Sequence, residues 1–317
     1  MGGPSYDRDV YSSTSSSGFS SSSNNAMSSK GYLHDDLNPK GKVLKTDVKS
    51  PVTIVFDETG SMDAFPKIFL DKAPMFHGQI EQQGYLKDFA LSFCAIGDAR
   101  NNEYAPLQVG DFEKGIKLDD ILKKIELEGN GGGQQKETYE LAAYYYLNHC
   151  EMPNADMPFL FFIGDEGFYS KIPKSILKEY LGEKDCEEQD SKKIFAELNK
   201  KFQNNVFLFH RSYGQPSVDR EVVAQWKEIL PPEHLIHMKD DKSIVDLMLG
   251  VIAMVSNARN LDAYTADMKN RGQNTQRIAA VSNALTPLSN TMSLVKVNDL
   301  PTLTGKDRKE GTTRNKK

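Results

Sequence analysis

Val52-Thr53-Ile54-Val55-Phe56 runs directly into Asp57-Glu58-Thr59-Gly60-Ser61-Met62, and the reading of this junction decides the fold. A continuous apolar run rich in β-branched residues suits a strand covered on both faces, as strands of a parallel sheet are. Such a strand, when it ends in an acidic residue, delivers a carboxylate to the crevice at the carboxyl edge of the sheet, where open α/β folds bind ligands. The same form recurs where Phe159-Leu160-Phe161-Phe162-Ile163-Gly164 leads into Asp165-Glu166-Gly167. Two strands of this kind can place Asp57 and Asp165 near one another.

Working outward, further apolar runs are expected to be strands: Phe89 to Ile96, Pro106 to Phe112, Asn205 to His210 and the short Leu235 to Met238. Pro and Gly interrupt the second of these, which marks it as an edge strand. Between the runs, apolar residues recur at helical spacing: Phe69, Ala73, Phe76 and Ile80; Phe195, Leu198 and Phe202; Ile244, Met248, Val251 and Val255. Pro74 is expected to kink or divide the first of these helices. Strands alternating with crossover helices predict an α/β fold, doubly wound, with a mostly parallel central sheet flanked by helices.

Four segments are expected along the 317 residues. Residues 1–48 are a serine-rich leader with no apolar face to repay ordering, so they are expected to be disordered. Residues 49–257 form the α/β domain. Residues 258–297 are a helical extension with Ile278, Val281 and Leu285 on one side, and residues 298–317 are a charged, disordered tail. A formal charge of −5 leaves no overall footprint for nucleic acid. Leu247 to Val255, the longest apolar stretch of the C-terminal side, is far shorter than the roughly 20 residues of a membrane span. With no secretory signal and three unpatterned cysteines (Cys94, Cys150, Cys186), a cytoplasmic protein is expected.

The chemistry concentrates after the first strand. Two close carboxylates repel unless protonated or bridged by a cation, and a hard divalent ion accepts oxygen ligands from Asp, Ser and Thr. Asp57, Thr59 and Ser61 alternate along the turn, so their oxygens can converge, and Gly60 gives the turn its freedom. Oxygen-only ligands with few carboxylates suit magnesium best, with manganese as the alternative. A cap or turn role needs one such residue, not this set.

Asp-x-Thr-Gly-Ser-Met after an apolar strand resembles the metal-ion-dependent adhesion site of von Willebrand factor A domains, and the resemblance covers about residues 50 to 257. It implies that a distant loop supplies a further ligand. Here that loop is Gly129-Asn130-Gly131-Gly132-Gly133-Gln134-Gln135-Lys136-Glu137-Thr138, leading into a helix from Tyr139 to His149. Thr138 is the expected ligand and Glu137 the alternative, because some relatives carry a Glu where Glu137 falls. The resemblance also implies that Asp165 reaches the metal directly or through water. It departs from the family at Glu166, which adds negative charge beside the site. The implied activity is protein binding without turnover, the metal keeping one position open for an acidic side chain of a partner.

Asp57-Glu58-Thr59-Gly60-Ser61 is also similar to the nucleophile motif of haloacid-dehalogenase-type phosphotransferases, in which Asp57 would attack phosphorus beside a magnesium ion. Most of those relatives place a second Asp where Thr59 stands, and their late acidic motif continues where this chain has Phe168, Tyr169 and Ser170. Gly131-Gly132-Gly133 lacks the Lys and Ser/Thr of a phosphate loop. His234 and His237 cannot face the same way along a strand, and His210 is expected to be a satisfied strand-end histidine.

Overall fold

All six expected strands join one sheet in the computed structural model, which describes residues 32–101, 103–129 and 135–298. They are β1 (Ser50–Asp57), β2 (Phe89–Ile96), β3 (Leu107–Val109), β4 (Phe159–Gly164), β5 (Val206–Arg211) and β6 (Leu235–Met238). Their spatial order is β6-β5-β4-β1-β2-β3, with every pairing parallel except β2 with β3, which is antiparallel. This is the doubly wound order in which the chain starts at the centre and turns back, and the crevice opens where β1 and β4 lie side by side. β3 is the edge strand that Pro106 and Gly110 foretell.

Alternation along β1 explains the layering. Val52, Ile54 and Phe56 join one buried cluster, with α1 (Phe65–Gln83) lying over that face. Val55 joins the other cluster, beneath α2 (Tyr139–Asn148), α3 (Ser191–Lys201) and α4 (Pro216–Trp226). Helix α5 (Ile244–Val255) is buried almost throughout on the α1 side, which explains its nearly unbroken apolar sequence. Pro74 does not divide α1, which runs through it continuously. Phe69, Ala73, Phe76 and Ile80 are all buried on one face of that helix, and their packing outweighs the lost hydrogen bond.

Both flanking segments reach the core. Residues 32–48, expected within the leader, carry a short helical turn at Asp35–Leu37, and Leu44–Lys45 pairs in parallel with Cys150–Glu151. Leu37 and Leu44 are each 1% exposed, so two leucines anchor this polar stretch. Residues 1–31 and 299–317 lie outside the described residues. The expected extension forms α6 (Leu261–Asn270) and α7 (Thr275–Asn298). Tyr264, Met268, Val281, Leu285 and Leu288 are buried in the α1–α5 cluster, and Arg271 donates to Asp246 of α5 at 3.0 Å. No helix of the described residues is long and apolar enough to cross a membrane.

Leu285→Ala in the full chain is therefore expected to cost about 2–5 kcal/mol in urea unfolding, the range for truncating a buried leucine. A loss under about 0.5 kcal/mol, typical of a surface change, would mean that α7 is appended to the domain and not packed into it.

Candidate metal site

Asp57 closes β1 with no solvent exposure. The chain then bends through Glu58 and Thr59 into a helical turn at Gly60–Met62, with Met62 sunk in the core. The bend folds Thr59 back on Asp57: its N–H and its hydroxyl both donate to Asp57 Oδ1, at 2.9 and 2.6 Å. The Thr59 and Ser61 hydroxyl oxygens lie 3.3 Å apart, and Ser61 donates to Asp165 Oδ1 at 2.9 Å. Asp57, Thr59, Ser61 and Asp165 thus form one continuous chain of oxygens across the β1–β4 crevice.

The second oxygen of Asp57 is taken by a residue that sequence reasoning missed. Tyr139, the first residue of α2, is fully buried and donates its hydroxyl to Asp57 Oδ2 at 2.9 Å. The tyrosine can reach there only because β4 ends in glycine: a Cβ on Gly164 would lie 1.7 Å from Tyr139 Oη and 3.1 Å from Asp57 Cβ. Gly164 was the one sequence sign of this close approach.

Thr138 and Glu137 both lie at the site edge, but their polar atoms are used differently. The Thr138 hydroxyl donates to the Gly97 carbonyl and accepts from Ala99 N–H at 3.4 Å, which ties it to the loop after β2. Glu137 is 2% exposed, and its Oε2 is buried without a hydrogen-bond partner. Glu166 is also buried, at 5% exposure. Asp165 Oδ2 is likewise buried and unpartnered, with Arg211 Nη1 3.8 Å away. Arg211 is shared: Nη1 donates to the Ser61 carbonyl at 3.1 Å and Nε to Asp241 at 3.1 Å.

This crowding shows in the proton affinities. Burial raises Asp57, opposed by the hydrogen bonds from Thr59 and Tyr139 and by the charge of Arg211. Burial and then the Asp57 charge push Asp165 up to about 8, and the same two causes raise Glu166. Glu137 is pushed far above the carboxylate range by burial, then by Asp57 and Glu166. A buried, oxygen-only group with two orphaned carboxylate oxygens suits a hard divalent cation, and its donors carry neither the thiolates nor the imidazoles that softer metals favour.

His210 and His237 pair directly across β5 and β6, with Nδ1 atoms 3.3 Å apart. His210 Nε2 has no hydrogen-bond partner and lies 3.6 Å from Asp219, so this histidine is only partly satisfied. His234 turns away, as expected, to the Val206 carbonyl at 2.9 Å.

No family model and no curated protein matches the chain. Solved structures similar to it include proximal thread matrix protein 1 from the mussel byssus, at 9% identity over 66% of this chain and 49% of that one, with a TM-score of 0.42. A form of that protein with a zinc-occupied MIDAS motif gives 9% identity, the same coverage and a TM-score of 0.43. The pilus adhesin SpaC from Lactobacillus rhamnosus GG, in its open conformation, gives 9% identity over 72% of this chain and 31% of that one, with a TM-score of 0.42. The chain spans about half the length of the byssus protein and about a third of the adhesin.

A carboxyl whose folded pKa lies above its unfolded value stabilises the fold fully at low pH and loses that contribution as pH rises toward the folded value. For Asp165 the window runs from about 4 to about 8. In chelator, stability is expected to fall by on the order of 1 kcal/mol per pH unit between about pH 5.5 and 8, and excess magnesium should flatten the slope. Urea midpoints that are flat or rising over this range in chelator would contradict the arrangement.

Proposed function

We propose that the chain is a metal-dependent protein-binding module whose magnesium or manganese site captures an acidic residue of a partner protein. The observation that carries this reading is the orphaned Asp165 Oδ2 at the end of the Asp57-Thr59-Ser61-Asp165 chain, with a second orphaned oxygen, Oε2, on Glu137, whose carboxyl feels the Asp57 charge. In this reading Asp57, Thr59, Ser61, Asp165 and Glu137 hold the ion directly or through water. Bound there, the cation supplies a Lewis-acidic position that a partner carboxylate completes. Thr138 serves as a tie between the start of α2 and the loop after β2, because its hydroxyl donates to the Gly97 carbonyl and accepts from Ala99 N–H.

Arg211 gives the rim a positive edge that favours an anionic partner group over a neutral one. The module has no turnover of its own. Supporting this, the Asp57 oxygens accept from Thr59 and Tyr139 and the residue is fully buried, an arrangement that restrains a carboxylate and does not free it as a nucleophile. We take the protein to be cytoplasmic, in keeping with three free cysteines.

Asp57→Ala should abolish magnesium binding in calorimetry while circular dichroism stays unchanged. Glu137→Gln should weaken the metal at least about tenfold and more than Thr138→Ala does, and the reverse order would return the ligand role to Thr138. Capture of partners from the native source should be lost in chelator and in Ser61→Ala, and restored to the wild type by magnesium. Equal recovery in all three conditions, or magnesium-dependent hydrolysis of an activated phosphate ester, would sink the binding-module reading.

A further inference from the structure

Glu58, Glu103 and Glu128 come from three different loops, yet one carboxylate oxygen from each lies within 4.8 Å of the other two. Glu58 follows Asp57, Glu103 lies between β2 and β3, and Glu128 ends the segment after the short helix Lys117–Leu122. Glu58 and Glu103 are 1% and 5% exposed. None of the three belongs to the Asp57 oxygen chain.

Each carboxylate is fixed by backbone N–H groups at one oxygen. Glu58 Oε2 accepts from Glu128 N and Gly129 N at 2.7 and 3.3 Å, Glu103 Oε2 from Asp98 N at 2.7 Å, and Glu128 Oε1 from Ala105 N at 2.8 Å. The other oxygens, Glu58 Oε1 and Glu103 Oε1, are buried without a hydrogen-bond partner. The backbone makes room for this: a Cβ on Gly97 would fall 1.9 Å from Glu103 Oε2. Burial holds Glu58 and Glu103 above the usual carboxylate range, with neighbouring carboxylates adding to the rise and the backbone N–H groups opposing it.

Carboxylates held at one oxygen by backbone N–H groups, with two buried oxygens left unpartnered, offer a metal ligands whose supporting hydrogen bonds are already in place. Three carboxylates select a hard cation. Three gathered carboxylates on loops suit calcium, which takes oxygen ligands in flexible geometry, better than magnesium, which demands near-ideal octahedral geometry and usually keeps several waters.

We infer that Glu58, Glu103 and Glu128 form a second cation site, selective for calcium, that staples the turn after β1 to the loops that carry Glu103 and Glu128. The site stands on its own residues and does not depend on the Asp57 site being a metal site. The test is calorimetric titration of the full chain, freed of metal, with calcium chloride at pH 7.5. The wild type and Asp57→Ala should both bind calcium, and Glu103→Gln/Glu128→Gln should bind it at least about tenfold more weakly. Gln keeps a carbonyl oxygen for the backbone N–H groups; should the double variant not fold, Glu128→Gln alone carries the test, since Glu128 is only partly buried. Calcium binding that vanishes in Asp57→Ala, or that survives unchanged in the glutamine variants, would overturn the second site. Loss of magnesium binding in Asp57→Ala alone bears on the first site and leaves this one standing.

Discussion

Like-charge repulsion at the carboxyl edge of the sheet is the constraint around which the rest of the molecule is arranged. Asp57, Asp165, Glu137 and Glu166 are all buried at this edge; Asp57 raises the proton affinity of the other three, and Glu166 raises that of Asp165 and Glu137. Removing such groups from water is costly unless charge is neutralised or hydrogen bonds compensate. The structure meets part of that cost locally through Thr59, Ser61 and Tyr139 and part through Arg211. What remains uncompensated lies at Asp165 Oδ2 and Glu137 Oε2, two buried oxygens without a hydrogen-bond partner.

The same demand explains features that look unrelated. Gly164 is small so that Tyr139 can pass beneath β4 to Asp57, and Gly97 is small so that Glu103 can press against the backbone after β2. Thr138 spans from α2 to Gly97 and couples these two regions. The loops at this edge donate backbone N–H groups to buried carboxylates, so their geometry depends on the charge state of those groups.

Much of this was legible in the sequence because short-range patterns specify it. The runs at Val52 to Phe56 and Phe159 to Gly164 are buried on both sides and therefore lack the alternation of half-exposed strands, and the acidic residue ending each marks the crevice. Asp57, Thr59, Ser61 and Asp165 come together as their spacing implies. What escaped was long-range or sparse. Leu37 and Leu44 are two anchors in a polar stretch, and the pairing of Leu44 with Cys150 leaves no local trace. Tyr139 read only as the start of a helix. Glu58, Glu103 and Glu128 are far apart in sequence, and lone glutamates on loops carry no signal until folding gathers them. Pro74 misled in the other direction, since tertiary packing overrode a local breaker.

β1 pairs on both sides, with β2 and β4, and is covered by helices on both faces. A strand so placed exposes its amides only when the whole domain opens, and it sits at the slow end of the exchange spectrum. Asp57 is the last residue of that strand, whereas partner-binding loops are ordinarily drawn from the fast end. The Asp57 carboxylate therefore holds its place for as long as the folded molecule does, so the residence time of a ligand held there would be set by the attachment itself and not by the breathing of its mount.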